Sequence, residues 1–137
     1  MSLELYLADK SALEQRSNEA ARGLIDALLK ERAVATCEVV ALEVLYSARS
    51  WRDYERRWSV MHEQTWLPVT QVATQRALAV QRLLAAKGQH RLPIADLLVA
   101  ATAEVHGATV LHFDRDFDRI AAVTGQPTRW IVEPPAA

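Results

Sequence analysis

Residues 109–118 form the stretch that most constrains what this chain can fold into. Residues 109–113 are mostly apolar, and a short run of this kind predicts a buried strand. Three aspartates spaced two apart come directly after it: Asp114, Asp116 and Asp118. Because aspartate is a poor strand residue and a good turn and helix-start residue, we expect the strand to stop at Asp114 and a short helix to follow over residues 117–123.

These three aspartates permit two interpretations. Acidic groups in the first turn of a helix are stabilised by the helix dipole, which would give Asp116 and Asp118 a purely structural role. Alternatively, a carboxylate just beyond the carboxyl end of a parallel strand lies where open α/β sheets bind their ligands. The second interpretation gains weight because Asp9 ends an earlier apolar run, residues 3–8, in the same way.

The alternation of apolar runs and amphipathic segments predicts the architecture of the whole chain. The expected strands are residues 3–8, 33–36, 66–69, 109–113 and 129–132. The expected helices are residues 18–32, 38–49, 51–62, 71–87, 94–105 and 117–123. This order implies a single three-layer α/β/α sandwich with a central, mainly parallel sheet, covering residues 1–132 and followed by a short C-terminal tail, residues 133–137.

The apolar residues of the helices predict which faces are buried. In the helix over residues 38–49 we expect an apolar stripe made of Val39, Leu42, Leu45 and Tyr46. The helix over residues 94–105 is apolar nearly all round and is expected to be buried. Three tryptophans are expected mostly in the core, with one or two free to stack on a base or to line a partner groove: Trp51, Trp58 and Trp66.

The composition excludes several classes of protein. The single cysteine, Cys37, permits no internal disulfide and no thiolate metal site, which fits a reducing, cytoplasmic environment. A formal net charge of −1 argues against a protein that binds nucleic acid by bulk positive charge, but it is compatible with an acidic centre inside a basic rim. We expect no signal peptide, and no apolar run has the length of a membrane span.

Four isolated carboxylates are set in apolar sequence: Asp9, Glu43, Asp96 and Asp114. Asp9 and Asp114 each end a predicted strand and are expected at the same edge of the sheet. Taken singly, Glu43 could extend into solvent and Asp96 could serve only the helix dipole. Buried together, they are costly unless they meet over cations, and oxygen ligands without cysteine or paired histidines suit Mg²⁺ or Mn²⁺. Such clusters most often serve phosphoryl transfer.

Four segments carry a resemblance to a known family: residues 7–13, 42–49, 94–101 and 111–118. In content and order they resemble the motifs of PIN-domain ribonucleases, specifically the VapC-type toxins of toxin–antitoxin operons. The resemblance extends over about residues 3–132. It implies a PIN-like sheet and a catalytic acidic quartet made of Asp9, Glu43, Asp96 and Asp114.

The resemblance also assigns roles within the site. It implies that Asp9, Asp96 and Asp114 bind the metal directly, while Glu43 either completes the shell or orients the attacking water. Asp116 matches an additional acidic position and is, like Glu43, a further candidate ligand. Ser11 matches a small hydroxyl that supports the site.

The function implied by the resemblance is that of a Mg²⁺- or Mn²⁺-dependent endoribonuclease, the toxin of a toxin–antitoxin pair. Water would attack phosphorus in line, leaving 5′-phosphate and 3′-hydroxyl ends. The implied partners are an RNA substrate, a cognate VapB-type antitoxin and a second copy in a homodimer, with no membrane. One alternative is a haloacid-dehalogenase-like phosphohydrolase, which Ser11 argues against because those enzymes carry a second aspartate there. The other is a non-catalytic PIN-like binding module, which loss of one acid would favour, and none is lost.

Five basic residues are candidates for the rim that contacts RNA: Lys10, Arg49, Lys87, His90 and Arg91. Lys10 departs from the family, in which threonine or another small residue is commoner. Strand alternation is expected to turn Lys10 away from Asp9, so that it could reach a phosphate or pair with Asp116. For His112 the alternatives are a metal ligand, a proton shuttle or a strand histidine that is merely hydrogen-bonded, and the last is preferred.

Overall fold

Five short strands form the central sheet in this computed structural model, which describes residues 4–136. The strands are β1 (Tyr6–Ala8), β2 (Val34–Thr36), β3 (Thr65–Trp66), β4 (Thr109–His112) and β5 (Thr128–Trp130). Their order across the sheet is β3-β2-β1-β4-β5, and every neighbouring pair is parallel. The predicted parallel α/β sheet is confirmed. Leu3, the first residue of the predicted first strand, lies outside the described residues.

The helices of the described residues connect these strands. They are α1 (Lys10–Leu13), α2 (Glu19–Lys30), α3 (Glu38–Tyr46), α4 (Trp51–His62), α5 (Gln71–Ala85), α6 (Ile94–Val105) and α7 (Asp116–Thr124), with a 3₁₀ turn at Glu14–Ser17. Side-chain oxygens of Asn18, Ser50 and Thr70 accept backbone N–H groups at the starts of α2, α4 and α5. Such caps satisfy N–H groups that lack a partner within the helix.

The sheet lies between two layers of helices, because its strands send apolar side chains alternately to two faces. Leu7 and Val110 belong to a buried cluster that includes residues of α3, α5, α6 and α7. Tyr6 and Leu111, on the opposite face, belong to a second cluster with α1 and α2. This is the predicted three-layer sandwich.

The carboxyl ends of the two central strands coincide. Ala8 of β1 is in register with Leu111 of β4, and the N–H of Asp9 donates to the carbonyl of Leu111 at 2.9 Å. Residues that follow β1 are therefore held beside residues that follow β4, although about a hundred positions separate them in the chain. This edge of the sheet carries the carboxylates.

The chain turns into helix immediately after β1, which the sequence pattern did not predict. Helix α1 begins at Lys10, and the Asp9 carboxylate caps it by accepting the N–H of Ser11 at 3.0 Å. The orientation of Lys10 inferred from strand alternation therefore rests on a wrong assumption. A helix of four residues is too short to show an apolar period, so only the tertiary structure reveals it.

The apolar stripe of α3 and the placement of Trp51 were partly mispredicted. Leu42 is 68% exposed and Tyr46 is 90% exposed, whereas the buried residues of α3 are Val40, Ala41 and Leu45. Trp51 is 74% exposed and stacks on Tyr54 with a centroid distance of 6.0 Å. Because α3 is apolar at nearly every position, the spacing of its apolar residues could not indicate which side of the helix faces the core.

Helix α6 is largely buried, as its all-round apolar character predicted. Seven of its residues, including Asp96, are buried, and the exposed Ile94 and Val105 lie at its two ends. Within residues 4–136, no helix combines the length and apolar character that a membrane crossing requires.

Candidate metal centre

A hydroxyl joins the segments that carry Asp9 and Asp114, in addition to the strand register. Ser11, in α1, accepts the backbone N–H of Phe113 at 2.9 Å through its Oγ. The same residue donates its own N–H to the carboxylate of Asp9. Asp9 is 4% exposed, so its carboxylate is held nearly dry at the end of β1. The structure thus gives Ser11 a bridging contact between α1 and the segment after β4.

The segment after β4 brings together a triad of acidic side chains. The Oδ1 of Asp114 accepts the N–H of Asp116 at 2.9 Å, which forms a tight turn into α7. Asp96 approaches from the first turn of α6. One carboxylate oxygen from each of Asp96, Asp114 and Asp116 lies within 4.8 Å of the others. Asp9, which the sequence predicts as a direct ligand, is not one of these three.

Like charge and burial raise the proton affinity of this group. Burial raises the pKa of the Asp96 carboxyl from 3.8 to about 8, with contributions from Asp9, Asp114, Asp116 and Glu43. Burial also raises the pKa of Asp9, partly offset by the hydrogen bonds from Ser11. An apo site of this kind holds its carboxylates at an energetic cost that a cation would remove.

Glu43 faces the same site from α3. Burial is the main cause that raises the pKa of Glu43, and the charge of Asp9 adds to it. Within the described residues, the buried oxygens Asp9 Oδ1, Glu43 Oε1 and Asp96 Oδ2 have no hydrogen-bond partner. Buried acceptors without partners are rare in folded proteins and call for an explanation. An all-oxygen donor set with unpartnered atoms fits a hard divalent cation.

His112 is buried against the aromatic residues beneath the site. Its Nδ1 accepts the N–H of Asp114 at 3.2 Å, so the neutral ring carries its proton on Nε2. The ring packs against Phe117 and Trp130 at centroid distances of 5.1 and 4.9 Å. Burial lowers the pKa of His112. These contacts favour the preferred interpretation, a hydrogen-bonded strand histidine.

The predicted rim residues lie in three places. Lys10 pairs with Glu14 at 3.3 Å, while Asp116 pairs with Arg119 at 2.6 Å, so the suggested pair of Lys10 with Asp116 is wrong. Arg49 follows α3 and lines a cavity beside α4. Lys87, His90 and Arg91 are exposed in the connection between α5 and α6. Sequence reasoning missed Arg119, which its spacing of three residues from Asp116 in a helix could have indicated.

Comparison with known proteins identifies the class of protein that this fold and acidic centre define. The PIN domain family model matches residues 8–123, and the chain belongs to the PIN-domain family. Ribonuclease VapC51 of Mycobacterium tuberculosis is 45% identical over 127 residues, 93% of each chain. Ribonuclease VapC2 of the same species is 41% identical over 142 residues, covering both chains completely. The predicted resemblance to VapC-type PIN domains is confirmed.

Solved structures show the same fold at lower sequence identity. The structure of VapBC2 from Rickettsia felis bound to a promoter DNA fragment matches with a TM-score of 0.73 and 17% identity, over 92% of this chain and 98% of that one. VapBC-5 from Mycobacterium tuberculosis matches with a TM-score of 0.61 and 23% identity, over 93% and 98%. At these identities the likeness concerns the fold alone.

Proposed function

We propose that this chain is a metal-dependent endoribonuclease, the toxin of a toxin–antitoxin pair, with residues 1–132 as its nuclease domain in the cytoplasm. The observation that carries the proposal is the convergence of Asp9, Glu43, Asp96 and Asp114 with three buried, unpartnered carboxylate oxygens. The names of its relatives, Ribonuclease VapC51 and Ribonuclease VapC2, support RNA as the substrate. All four acids are present, which disfavours a non-catalytic module.

The proposed roles of the residues combine their contacts with their match to the family's motifs, and the motifs alone make Asp9 a ligand. Asp9, Asp96 and Asp114 hold the ion, with Asp116 as a further ligand. A bound Mg²⁺ or Mn²⁺ supplies a centre that acidifies water and neutralises charge on the phosphate. Glu43 has a free Oε1 and a raised pKa, which suit it to orient water and accept its proton. Ser11 keeps Asp9 beside Asp114 through its bond to Phe113.

The direct test is cleavage of single-stranded RNA by the purified chain. Activity is expected with Mg²⁺ or Mn²⁺ and is expected to disappear in excess EDTA, because the carboxylates cannot hold a phosphate without a cation. Products analysed by mass spectrometry should carry 5′-phosphate and 3′-hydroxyl ends. Cleavage that persists in EDTA would contradict the proposal, since it would need no metal.

We also propose that a VapB-type antitoxin binds this chain, which itself pairs as a homodimer. The similar solved structures include VapBC assemblies, one from Rickettsia felis and one from Mycobacterium tuberculosis. The exposed Trp51 and the partly exposed Trp58 offer aromatic surface of the kind that anchors protein interfaces. An arginine or lysine of the antitoxin would be attracted to the acidic centre.

Inhibition by the antitoxin is therefore expected to weaken as the Mn²⁺ concentration rises, because Mn²⁺ and the antitoxin's arginine or lysine compete for the same carboxylates. The measurement is the antitoxin concentration that halves RNA cleavage, taken at low and high Mn²⁺. Trp51→Ala with Trp58→Ala should weaken the antitoxin at either concentration. If inhibition is independent of Mn²⁺ and the double variant binds antitoxin normally, the partner acts from another surface.

A further inference from the structure

A cavity of about 370 Å³ opens next to the acidic centre, between α1, α3 and α4. Lys10 and Val44, which line it, directly follow Asp9 and Glu43 in the chain. The charge of Lys10 also acts on Glu43, where it opposes the rise in pKa. The cavity therefore lies beside the site where the phosphodiester would be cleaved, although the acidic residues of that site do not line it and the proposed chemistry makes no use of it.

Positive charge is concentrated in this cavity. Five of the sixteen lysine and arginine residues line it, although the chain as a whole carries a net charge of −1: Lys10, Arg16, Arg49, Arg56 and Arg57. Glu14 balances Lys10, and Asp53 pairs with both Arg56 and Arg57. Within residues 4–136, the guanidinium groups of Arg16 and Arg49 have no carboxylate partner. These two guanidinium groups are therefore available to bind an anion.

Another guanidinium group of the cavity, that of Arg57, is held in a fixed position. Arg57 donates through Nη1 to the carbonyl of Val44 at 2.7 Å, and its Nε lies 3.2 Å from Asp53 Oδ2. An arginine fixed in this way loses less side-chain entropy when an anion binds than a free surface arginine does. Arg57 thus joins α3 to α4 and presents a positioned donor group at the cavity wall.

A buried amide at the cavity wall indicates that the ligand carries a hydrogen-bond donor as well as an anionic group. Gln64 is 9% exposed, and its Nε2 has only a weak contact, 3.8 Å from the sulfur of Met61. Its Oε1 has no hydrogen-bond partner among the described residues. A buried acceptor left unpaired costs about 1–3 kcal/mol, which a ligand with an N–H or O–H donor would recover once the Gln64 side chain turns its Oε1 towards the cavity. Apolar side chains complete the lining: Leu13, Val44, Val60 and Met61.

We propose that this cavity is a nucleotide subsite for the RNA substrate. Arg16, Arg49 and Arg57 bind a phosphate neighbouring the cleaved one, while the base lies against the apolar wall and a base N–H or ribose hydroxyl donates to Gln64 Oε1. A nucleotide supplies the anion, the flat apolar body and the donor within one unit, whereas a peptide would need an acidic residue for the anion and a second residue for the apolar contact. The inference rests on the proposed function, because it takes RNA as the substrate.

The test is the affinity of a short, fluorescently labelled single-stranded RNA for the chain carrying Asp96→Asn, so that RNA is not cut during titration. Adding Arg16→Gln and Arg49→Gln together is expected to weaken binding about tenfold. The slope of log K against log salt should also fall by about 0.7 for each lost cation, or roughly 1.4 in total. The matched control is Arg52→Gln, an exposed arginine of α4 outside the cavity, for which neither quantity should change.

Gln64→Leu separates recognition from folding. Removing an unpaired buried amide should leave the melting temperature unchanged or raise it, while RNA affinity falls about fivefold because the hydrogen bond is lost. A lower melting temperature with unchanged RNA affinity would show that Gln64 is purely structural and would overturn the subsite.

Three further outcomes would overturn the subsite. One is that the double arginine variant matches Arg52→Gln in affinity and salt slope. Another is that the chain binds no single-stranded RNA at all. The third is that the variants bind RNA normally but lose affinity for an antitoxin peptide, which would make the cavity a protein-binding site. RNA cleavage is measured separately, by comparing the unmodified chain with Asp96→Asn. The subsite can therefore be wrong while the ribonuclease assignment remains correct.

Discussion

Asp96→Asn and Asp114→Asn are each expected to lower RNA cleavage on the order of 10³-fold while the protein remains folded. Asparagine keeps the shape of aspartate but loses the charge that holds a divalent cation. In the structure one carboxylate oxygen of each residue lies within 4.8 Å of the other and of Asp116. Asp9→Asn should behave similarly, since asparagine caps α1 as well as aspartate does. The measurement is the initial rate of RNA cleavage at saturating metal.

The matched control for this prediction is Asp118→Asn. Asp118 lies in the same helix as Asp116, but its Oδ1 accepts the indole N–H of Trp130 at 3.1 Å, an acceptor role that asparagine retains. We therefore expect a change of no more than about twofold. Full activity in Asp96→Asn or Asp114→Asn would remove that residue from the site. If Asp118→Asn loses as much RNA cleavage as these variants, their loss of activity cannot be assigned to the acidic centre.

Removal of metal is expected to have the largest effect on stability, and the effect should grow with pH. Burial raises the pKa of Asp96 from 3.8 to about 8, so folding favours its protonated form. The stability that this group contributes is present in full below pH 3.8 and is lost as the pH rises through about 8. The raised pKa values of Asp9 and Glu43 act in the same direction. The metal-free protein should therefore melt at a lower temperature in mildly alkaline than in mildly acidic buffer.

A divalent cation should reverse this loss, because it binds the ionised carboxylates. At a concentration one hundred times Kd the stabilisation is about 2.7 kcal/mol, or on the order of 10 °C in Tm for a domain of this size. Differential scanning fluorimetry with EDTA or Mn²⁺ across this pH range measures both effects. Asp96→Asn should flatten the pH dependence and reduce the metal shift. A wild-type Tm that is independent of both pH and Mn²⁺ would contradict the metal centre.

The sequence predicted most of the secondary structure because the relevant signals are local. Helices α4 and α6 begin and end at the predicted residues, and polar caps mark the starts of α2, α4 and α5. Helix α3, in contrast, ends at Tyr46 rather than near residue 49, and its buried side differs from the predicted stripe. The difference arises because nearly all of its positions are apolar, so packing against α6 and the sheet decides which of them are covered.

For the acidic centre, the sequence by itself determined which acidic residues stand alone in apolar surroundings and that two of them follow strands. Both properties depend on residues only a few positions apart. The family resemblance added Asp116 as a candidate ligand, but only the tertiary structure decided that Asp96, Asp114 and Asp116 form the closest group while Asp9 stands outside it, and that Ser11 reaches Phe113 across the chain. It alone placed Arg49 and Gln64 in one cavity. These contacts depend on strand order and on how helices pack over the sheet edge, which no local pattern of side chains records.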